Sequence, residues 1–203
     1  RQSYNHTSKT TDAQKTSTKK AILNKDFRQA LNFAYDRKAY SDQVNGEEGA
    51  LKSVRNLYVP PTFVQVGDKN FGDVVKEDVV KYGDEWKDVD FSDATNGLYN
   101  PEKAKAEFAK AKATLQAEGV EFPIHLDIPT IQTNTLIVKR AQSLKQSIEK
   151  SLGTENVVVD IQMLSQEDVQ NITYYAPNAA ALDWDITDQL GWTPDFQDPS
   201  SEK

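Results

Sequence analysis

The chain has 203 residues, of which 27% are charged and 37% hydrophobic, and its formal net charge is -7. This composition is typical of a globular protein with a polar, hydrated surface. It excludes nucleic acid as an expected partner, because phosphate binding needs a clustered basic surface and the lysines and arginines here are scattered.

The sequence contains no cysteine, which excludes disulfides, thiolate metal sites and a cysteine nucleophile. No apolar run approaches the roughly 20 residues that a membrane-spanning helix needs. The opening residues 1–4 have neither an initiator methionine nor a signal-peptide pattern, and residues 198–203 lack a helix stop or a closing strand. We therefore expect the chain to be an internal piece of a longer protein.

Residues 1–20 are rich in threonine, serine, lysine and glutamine. Only Tyr4 and Ala13 offer much apolar surface, so burial is not expected to offset the entropy that is lost when this stretch becomes ordered. We predict a polar arm or linker from a preceding domain at residues 1–20, followed by one folded lobe at residues 21–203.

A helix is predicted to begin after Asn24, whose side chain can cap it, and to run until Gly46. Its apolar positions recur at helical spacing: Phe27, Ala30, Leu31 and Ala34. Residues 50–99 are irregular and carry seven aromatic residues. Each of these is best explained as a core side chain, but as a group they are also compatible with the wall of a site. They are Tyr58, Phe63, Phe71, Tyr82, Trp86, Phe91 and Tyr99.

The pattern becomes more regular after Tyr99. Asn100 and Pro101 are typical of a helix start, and Gly119 supplies a C-terminal stop. Apolar residues then alternate with polar ones from Phe122 to Ile128, which predicts a half-buried strand that Pro129 closes.

Two further helices are expected at residues 137–152 and 165–176, and two further strands at residues 157–163 and 182–186. Gly153 and Pro177 end the two helices, and Ser165 with its neighbours Gln166, Glu167 and Asp168 matches a capping box. Alternation of strands and helices implies right-handed crossovers between parallel strands. We therefore predict a small parallel sheet over residues 122–190.

The third predicted strand leads directly into residues 191–199, with the sequence GWTPDFQDP. Ligands of open α/β sheets bind beyond the carboxyl ends of the strands. A stiff loop that presents aromatic rings beside carboxylates suits a cationic or amine-bearing ligand with an apolar body. An ordinary surface turn explains the composition equally well, since Asp-Pro pairs and aromatic turns are common in loops.

An enzymatic interpretation would use carboxylates near the end of the chain as general acid and base. The candidates are Asp183, Asp185, Asp188, Asp195 and Asp198. Nothing in the sequence indicates a raised pKa among them, and acidic residues around strand ends are usually solvated. The sequence gives catalysis little support, and we predict a binding module rather than an enzyme.

His6 and His125 are the two histidines of the sequence, and neither has a second ligand at metal-binding spacing. We expect His125 to have a surface or hydrogen-bonding role, and we predict neither a metal site nor a cofactor.

A third interpretation is a surface interaction or adhesion domain without a small ligand, in which the aromatic residues between positions 57 and 99 contact the partner.

Three segments resemble the large extracellular solute-binding proteins, family five, that deliver oligopeptides to ABC importers. They are residues 24–37 (NKDFRQALNFAYDR), residues 100–104 (NPEKA) and residues 184–186 (WDI) with the GWTPDFQDP segment. All three occur in the order that the family shows. Residues 57–63 and the opening RQSYNH are most similar to the streptococcal Ami/Ali group of oligopeptide-binding lipoproteins.

The resemblance implies an α/β fold that forms one lobe of a periplasmic-binding-protein-like (type II) clamp, with a small, mainly parallel sheet flanked by helices. Residues 21–203 would be this ligand-binding lobe, truncated at its C-terminal end, and the second lobe of the same protein would be missing. The whole protein would capture extracellular oligopeptides for a membrane permease, at the extracellular face of the membrane and held there by a lipid anchor. Other family members bind sugars, metal complexes or haem, so a non-peptide solute stays an alternative.

The resemblance also implies that Asp195 pairs with the N-terminal ammonium group of a peptide, with Trp192, Phe196 and Gly191 in the same site. Phe196 stands where the family usually has tyrosine, a change that removes a hydroxyl group but retains the ring. A charge-assisted hydrogen bond to an amine supplies roughly 1.5 to 3 kcal/mol. Selectivity for peptide side chains is expected to be loose, because waters can replace dedicated contacts.

Overall fold

The computed structural model of the protein describes residues 1–189. The described chain forms two compact units, the first built from Arg1–Asp36 with the residues from Pro101 onward, and the second from Arg37–Asn100. One lobe over residues 21–203 is the prediction from the sequence. The division arises because residues 37–100 form a core of their own, which includes Val54, Val89 and Leu98.

The helices are α1 (Asp12–Leu23), α2 (Lys25–Ala34), α3 (Arg37–Gly49), α4 (Phe71–Val79), α5 (Pro101–Ala117), α6 (Thr135–Leu152) and α7 (Gln166–Ile172). The strands are β1 (Gln65–Val66), β2 (Lys69–Asn70), β3 (Ile124–Ile131) and β4 (Val157–Leu164). Among residues 1–189, no helix combines the length and apolar character that crossing a membrane requires.

The predicted ends of several helices are confirmed. The Asn24 side chain accepts a hydrogen bond from Phe27 N at 3.0 Å and so caps α2. α5 begins at Pro101, and α6 ends at Gly153, whose φ of 86° favours glycine. The predicted continuation of α2 to Gly46 is wrong, because Tyr35 is extended and a separate helix follows.

Residues 1–20 do not form the predicted polar arm. Thr11 and Gln14 make a reciprocal capping box at the start of α1, and the Thr18 hydroxyl donates to His125 O of β3 at 2.8 Å. The inward face of α1 is small and partly polar, with Ser17, Thr18 and Ala21 buried. Apolar content therefore underestimates the order of this segment, because hydrogen bonds satisfy its buried polar groups: Thr18 bonds to His125 O, and Ser17 accepts from Glu121 N.

The parallel pairing of β3 with β4 is confirmed, with Leu126 opposite Val159. β3 continues through Pro129, so the predicted strand end there is wrong. Ile124 N and Gln132 N donate to main-chain oxygens at positions 156 and 164, which places the even-numbered amides of β3 toward β4. The nitrogen of Pro129 therefore faces the other way, and the ladder loses no hydrogen bond there.

The outward edge of β4 is partly covered by side chains of α6. Lys145 Nζ donates to Val159 O at 2.8 Å, and Val159 N donates to Glu149 Oε1 at 3.1 Å. Lys145 and Glu149 also pair with each other at 2.5 Å. The middle of this edge is thus hydrogen-bonded without a further strand.

The third predicted strand, residues 182–186, is absent from the described structure. Asp185 N and Ile186 N both donate to a single acceptor, Asp127 O, at 3.0 and 3.2 Å. Two neighbouring amides that share one carbonyl cannot continue as a strand ladder, in which alternate residues face the partner strand.

The core of the first unit lies between the helices and the inner face of the sheet. Phe27 and Phe33 of α2 are fully buried, as are Ile124, Leu126 and Ile128 of β3. The Phe27 and Phe108 ring centroids are 6.2 Å apart. This aromatic packing joins α2 to α5.

The second unit contains the antiparallel β1–β2 hairpin and α4. Its loops are held by the Asn56 amide, which donates to Ser92 O at 2.8 Å and Thr95 O at 3.0 Å. The aromatic residues of this unit do not share one environment, because Phe91 is buried whereas Tyr58 is exposed.

Candidate functional site

The loop that the sequence analysis selects as the ligand site lies outside the described residues. This applies to all four predicted binding residues, which are Gly191, Trp192, Asp195 and Phe196. The residues that lead into this loop, 182–189, are described, and we refer to them as the stem.

The stem runs along the edge of β3 that faces away from β4. In addition to the two amides that donate to Asp127 O, Asp127 N donates to Asp185 Oδ2 at 2.8 Å. Further along, Gln189 Nε2 donates to Pro129 O at 2.5 Å. The stem therefore follows β3 toward its carboxyl end, the end at which open α/β sheets bind ligands.

A buried charge cluster joins the stem to β3 and to the start of the chain. We define it as Arg1, Lys9, Asp127, Asp183 and Asp185, whose side chains are at most 5% exposed. The two Arg1 nitrogens Nη1 and Nη2 lie 2.5 Å from Asp127 and 2.7 Å from Asp183, respectively. Lys9 Nζ lies 2.7 Å from Asp127 Oδ2 and also bonds to Asp185 Oδ2. Burying so many charges is tolerable because each has an opposite partner.

Neutral groups complete the hydrogen bonding of Asp127. Its carboxylate accepts from Thr7 Oγ1 at 2.6 Å, from Ser8 N and Oγ at 3.0 Å, and from Gln162 Nε2 at 3.0 Å. Asp183 likewise accepts from His6 N, and its Oδ2 lies 2.9 Å from His6 Nδ1. Residues 1–9 thus bind β3 and the stem at once.

The two carboxyl groups that share Lys9 have opposite pKa shifts. Burial alone would raise the pKa of Asp127, but hydrogen bonds from Lys9, Thr7 and Ser8 outweigh it and hold that pKa well below its usual range. Burial raises the pKa of Asp185, and the opposing effect of Lys9 and Arg1 is not sufficient to reverse the shift. The carboxyl group of Asp127, at the centre of the cluster, therefore stays ionised.

Two carboxylates of the enzymatic interpretation are occupied by this cluster. Asp183 and Asp185 are 1% and 3% exposed and bind Arg1, Lys9 and His6. They serve the packing of the stem and are not open to a substrate. Their positions at the end of the chain suggested chemistry, whereas Arg1, His6 and Lys9, which bind them, lie more than 170 positions away and are not visible in a local pattern.

His125 makes a hydrogen bond, as predicted: its Nδ1 lies 2.8 Å from Asp160 Oδ2 on β4. Across the part of the chain that the structure describes, no three His, Cys, Asp or Glu side chains are grouped so as to hold a metal ion.

Exposed apolar side chains lie in the segments at the carboxyl ends of β3 and β4. Leu136 at the start of α6 is 49% exposed, and Met163 near the end of β4 is 47% exposed. Tyr174 and Tyr175, just after α7, are exposed and contact each other edge to face with centroids 5.0 Å apart. These exposed positions were not predicted from the sequence, although the two adjacent tyrosines after a strand and a short helix were an available signal.

The stem also carries unused polar atoms. Trp184 Nε1 and Gln189 Oε1 are buried and have no hydrogen-bond partner within residues 1–189. The acceptor, on Gln189, lies near the carboxyl end of β3, where the same side chain donates to Pro129 O.

Comparison with known proteins places these features in a family. Residues 3–202 match the bacterial extracellular solute-binding proteins, family 5, middle region. The chain is 70% identical over 201 residues to the oligopeptide-binding protein SarA of Streptococcus gordonii, and 66% identical to the oligopeptide-binding protein AliA of Streptococcus pneumoniae. Each alignment covers 99% of this chain and 30% of the relative, so the chain spans about 30% of the length of these proteins.

Solved structures show the same fold at lower identity. The substrate-binding domain of an oligopeptide ABC transporter from Bacillus anthracis aligns with a TM-score of 0.59 and 20% identity, over 90% of this chain and 29% of that one. Listeria monocytogenes OppA bound to peptide aligns with a TM-score of 0.57 and 20% identity, over 89% and 29%. The mixed α/β fold is therefore that of part of such proteins, and the chain belongs to family 5 of the bacterial extracellular solute-binding proteins, as its motifs predict.

Proposed function

We propose that the chain is part of the substrate-binding component of an ABC importer that captures extracellular oligopeptides. The observation that supports this most directly is the 70% identity over 201 residues to a protein named as an oligopeptide-binding protein. Identity of 66% to a second protein of that description supports the same substrate class. The role is binding and delivery rather than catalysis.

Within the whole protein, we propose that this chain forms most of one lobe of a type II clamp. A second lobe, contributed by other parts of the same protein, closes over the peptide and a membrane permease receives it. The complete protein works at the extracellular face of the membrane, where a lipid anchor holds it. The coverage of about 30% of each relative is compatible with this arrangement, because most of the clamp then lies in other segments.

We place the N-terminal amine of the peptide at Asp195, with the rings of Trp192 and Phe196 beside it and Gly191 at the start of the loop. The course of the stem supports this proposal, since Gln189 is bonded to Pro129 near the carboxyl end of β3 only a few positions before the loop. The exposed Met163, near the end of β4, adds apolar surface at this end of the sheet. An ammonium group that leaves water needs an anionic partner, and a carboxylate supplies it.

Replacement of Asp195 by alanine in the complete protein tests the site. The probes are an equimolar pool of random hexapeptides and the same pool after N-acetylation, with binding measured by calorimetry. We expect affinity for the free-amine pool to fall about tenfold or more, and affinity for the acetylated pool to change little. Asp198→Ala, a carboxylate of the same loop, is the matched control and should leave the preference intact.

Equal losses for both pools would remove the proposed role of Asp195. Mass spectrometry of small molecules that co-purify with the complete protein tests the substrate class independently. Recovery of a sugar, a metal complex or haem instead of peptides would overturn the proposal of an oligopeptide substrate.

A further inference from the structure

Two Asn-Gly pairs occur in the sequence, Asn45-Gly46 and Asn96-Gly97, and both belong to the second unit. In such a pair the amide nitrogen of the glycine can attack the side-chain carbonyl carbon of the asparagine, because no Cβ hinders its approach. Attack within one chain is strongly favoured over reaction between molecules when the chain can bring the two atoms together. The conformation and the packing of each pair therefore determine how fast it reacts.

We infer that Asn45 is a site of spontaneous deamidation and that the fold protects Asn96 from the same reaction. The Gly46 nitrogen gives up its proton to hydroxide and forms a bond to Cγ of Asn45. The bond from Cγ to the side-chain nitrogen breaks, and this nitrogen takes a proton from water and leaves as ammonia. A water molecule then opens the cyclic imide, so that position 45 becomes aspartate or isoaspartate.

The chain around Asn45 has room for this movement. Asn45 and Gly46 are both exposed, and a Cβ added to Gly46 would meet no atom within 4 Å. Gly46 also interrupts α3, since its φ of 68° and ψ of 169° are not helical. The Asn45 side-chain nitrogen donates to Ser41 Oγ at 3.0 Å and to Ser41 O at 3.3 Å, and both acceptors belong to the same helix. Rotation of the peptide bond between Asn45 and Gly46 therefore meets open space on the side of the glycine.

The chain around Asn96 is fixed by several contacts. Its Oδ1 accepts from Lys38 N at 3.2 Å, and its main-chain oxygen accepts from Tyr99 N at 3.0 Å. Gly97 packs so closely that an added Cβ would lie 2.0 Å from Asp90 O. Cyclisation would break these hydrogen bonds and move the glycine against the main chain, so it requires local opening of the loop. The free energy of this opening adds to the barrier of the reaction.

Deamidation adds a negative charge to a part of α3 that is already acidic. Asp42, Glu47 and Glu48 lie within three positions of Asn45. Asn45 is also the last residue before the interruption at Gly46, and a carboxylate near the carboxyl end of a helical stretch is unfavourable. The modified protein is therefore more acidic than the original protein and is expected to bind more strongly in anion-exchange chromatography.

The experiment incubates the complete protein at mildly alkaline pH, under native conditions and in guanidinium chloride. Tryptic peptides that cover residues 39–52 and 88–103 separate the two sites. Mass spectrometry measures the deamidated fraction of each peptide against a sample taken at the start. We expect the folded protein to react at Asn45 about tenfold or more faster than at Asn96. In guanidinium chloride, where the fold no longer protects Asn96, the two rates should be similar.

Asn45→Gln is the matched control, since glutamine keeps the side-chain amide but would have to form a larger ring. This variant should lose the acidic species that accumulates in the unaltered folded protein. An absence of reaction at Asn45 in the folded protein, or equal rates at Asn45 and Asn96, would overturn the inference. A preference for Asn45 of the same size in guanidinium chloride would also overturn it, because the preference would then come from neighbouring residues in the sequence and not from the fold. The reaction needs no bound ligand, so these outcomes do not depend on the proposed peptide site.

Discussion

Replacement of Asp127 by asparagine is expected to destabilise the first unit strongly at neutral pH. Among the described residues, the Asp127 carboxylate accepts six hydrogen bonds, two of them from the cations Arg1 and Lys9. Asparagine retains the shape of the side chain but lacks its negative charge, and its amide nitrogen cannot accept a hydrogen bond. Removal of one partner from a buried ionic group costs about 3 to 5 kcal/mol, and we expect a loss of that order in the free energy of unfolding.

The loss in free energy of unfolding caused by Asp127→Asn should also depend on pH. The depressed pKa of Asp127 determines the direction of this dependence. A carboxyl group whose folded pKa is below its unfolded value of about 3.9 contributes stability that is complete above that pH and is lost as the pH falls toward the folded pKa. The difference between the two proteins should be constant from pH 7 to pH 5. It should then shrink progressively as the pH falls below about 4 toward pH 2.

Urea denaturation of the 203-residue chain, followed by circular dichroism at these pH values, measures the effect. Asp12→Asn is the control, because Asp12 is 98% exposed and pairs with Lys15 at 3.2 Å, an arrangement worth about 1 kcal/mol or less. A loss under 1 kcal/mol at pH 7, or a loss that stays the same down to pH 2, would refute this account of the cluster.

Two further changes probe elements that the sequence predicts well. Asn24→Ala removes the side-chain cap of α2 and should cost about 1 kcal/mol in urea denaturation; a cost near zero would mean that the bond to Phe27 N is unimportant. Phe33→Ala empties a fully buried position and should cost about 3 to 5 kcal/mol in the same assay, whereas Leu23→Ala, at a residue that is 72% exposed, should change stability by less than about 0.5 kcal/mol. Similar effects of these two alanine substitutions would contradict the assignment of the core.

The elements that the sequence predicts correctly are those with local signals. α5 and α6 combine a helical apolar stripe with a recognisable start or stop, and β4 is rich in β-branched residues. The site loop could be proposed only from family resemblance, because the composition of residues 191–199 fits a surface turn equally well. The assignment of ligand contacts to Gly191, Trp192, Asp195 and Phe196 stays a prediction.

The elements that the sequence analysis misses depend on partners far along the chain. α1 was overlooked because its buried residues are serine, threonine and alanine, which leaves no apolar stripe to detect. Residues 182–186 alternate like a strand, but their amides converge on Asp127 O. The charge cluster joins residues more than 110 positions apart, and no local rule pairs Lys9 with Asp127.

The contacts of Lys145 and Glu149 with Val159 have a consequence for self-association. A strand at the margin of a sheet is a template for extended segments of other molecules, and such pairing can seed aggregates. At the centre of β4 an incoming segment would first have to break two side-chain hydrogen bonds and displace an ion pair. The oppositely charged residues one helical turn apart on α6 thus protect this edge of the sheet against pairing with other molecules.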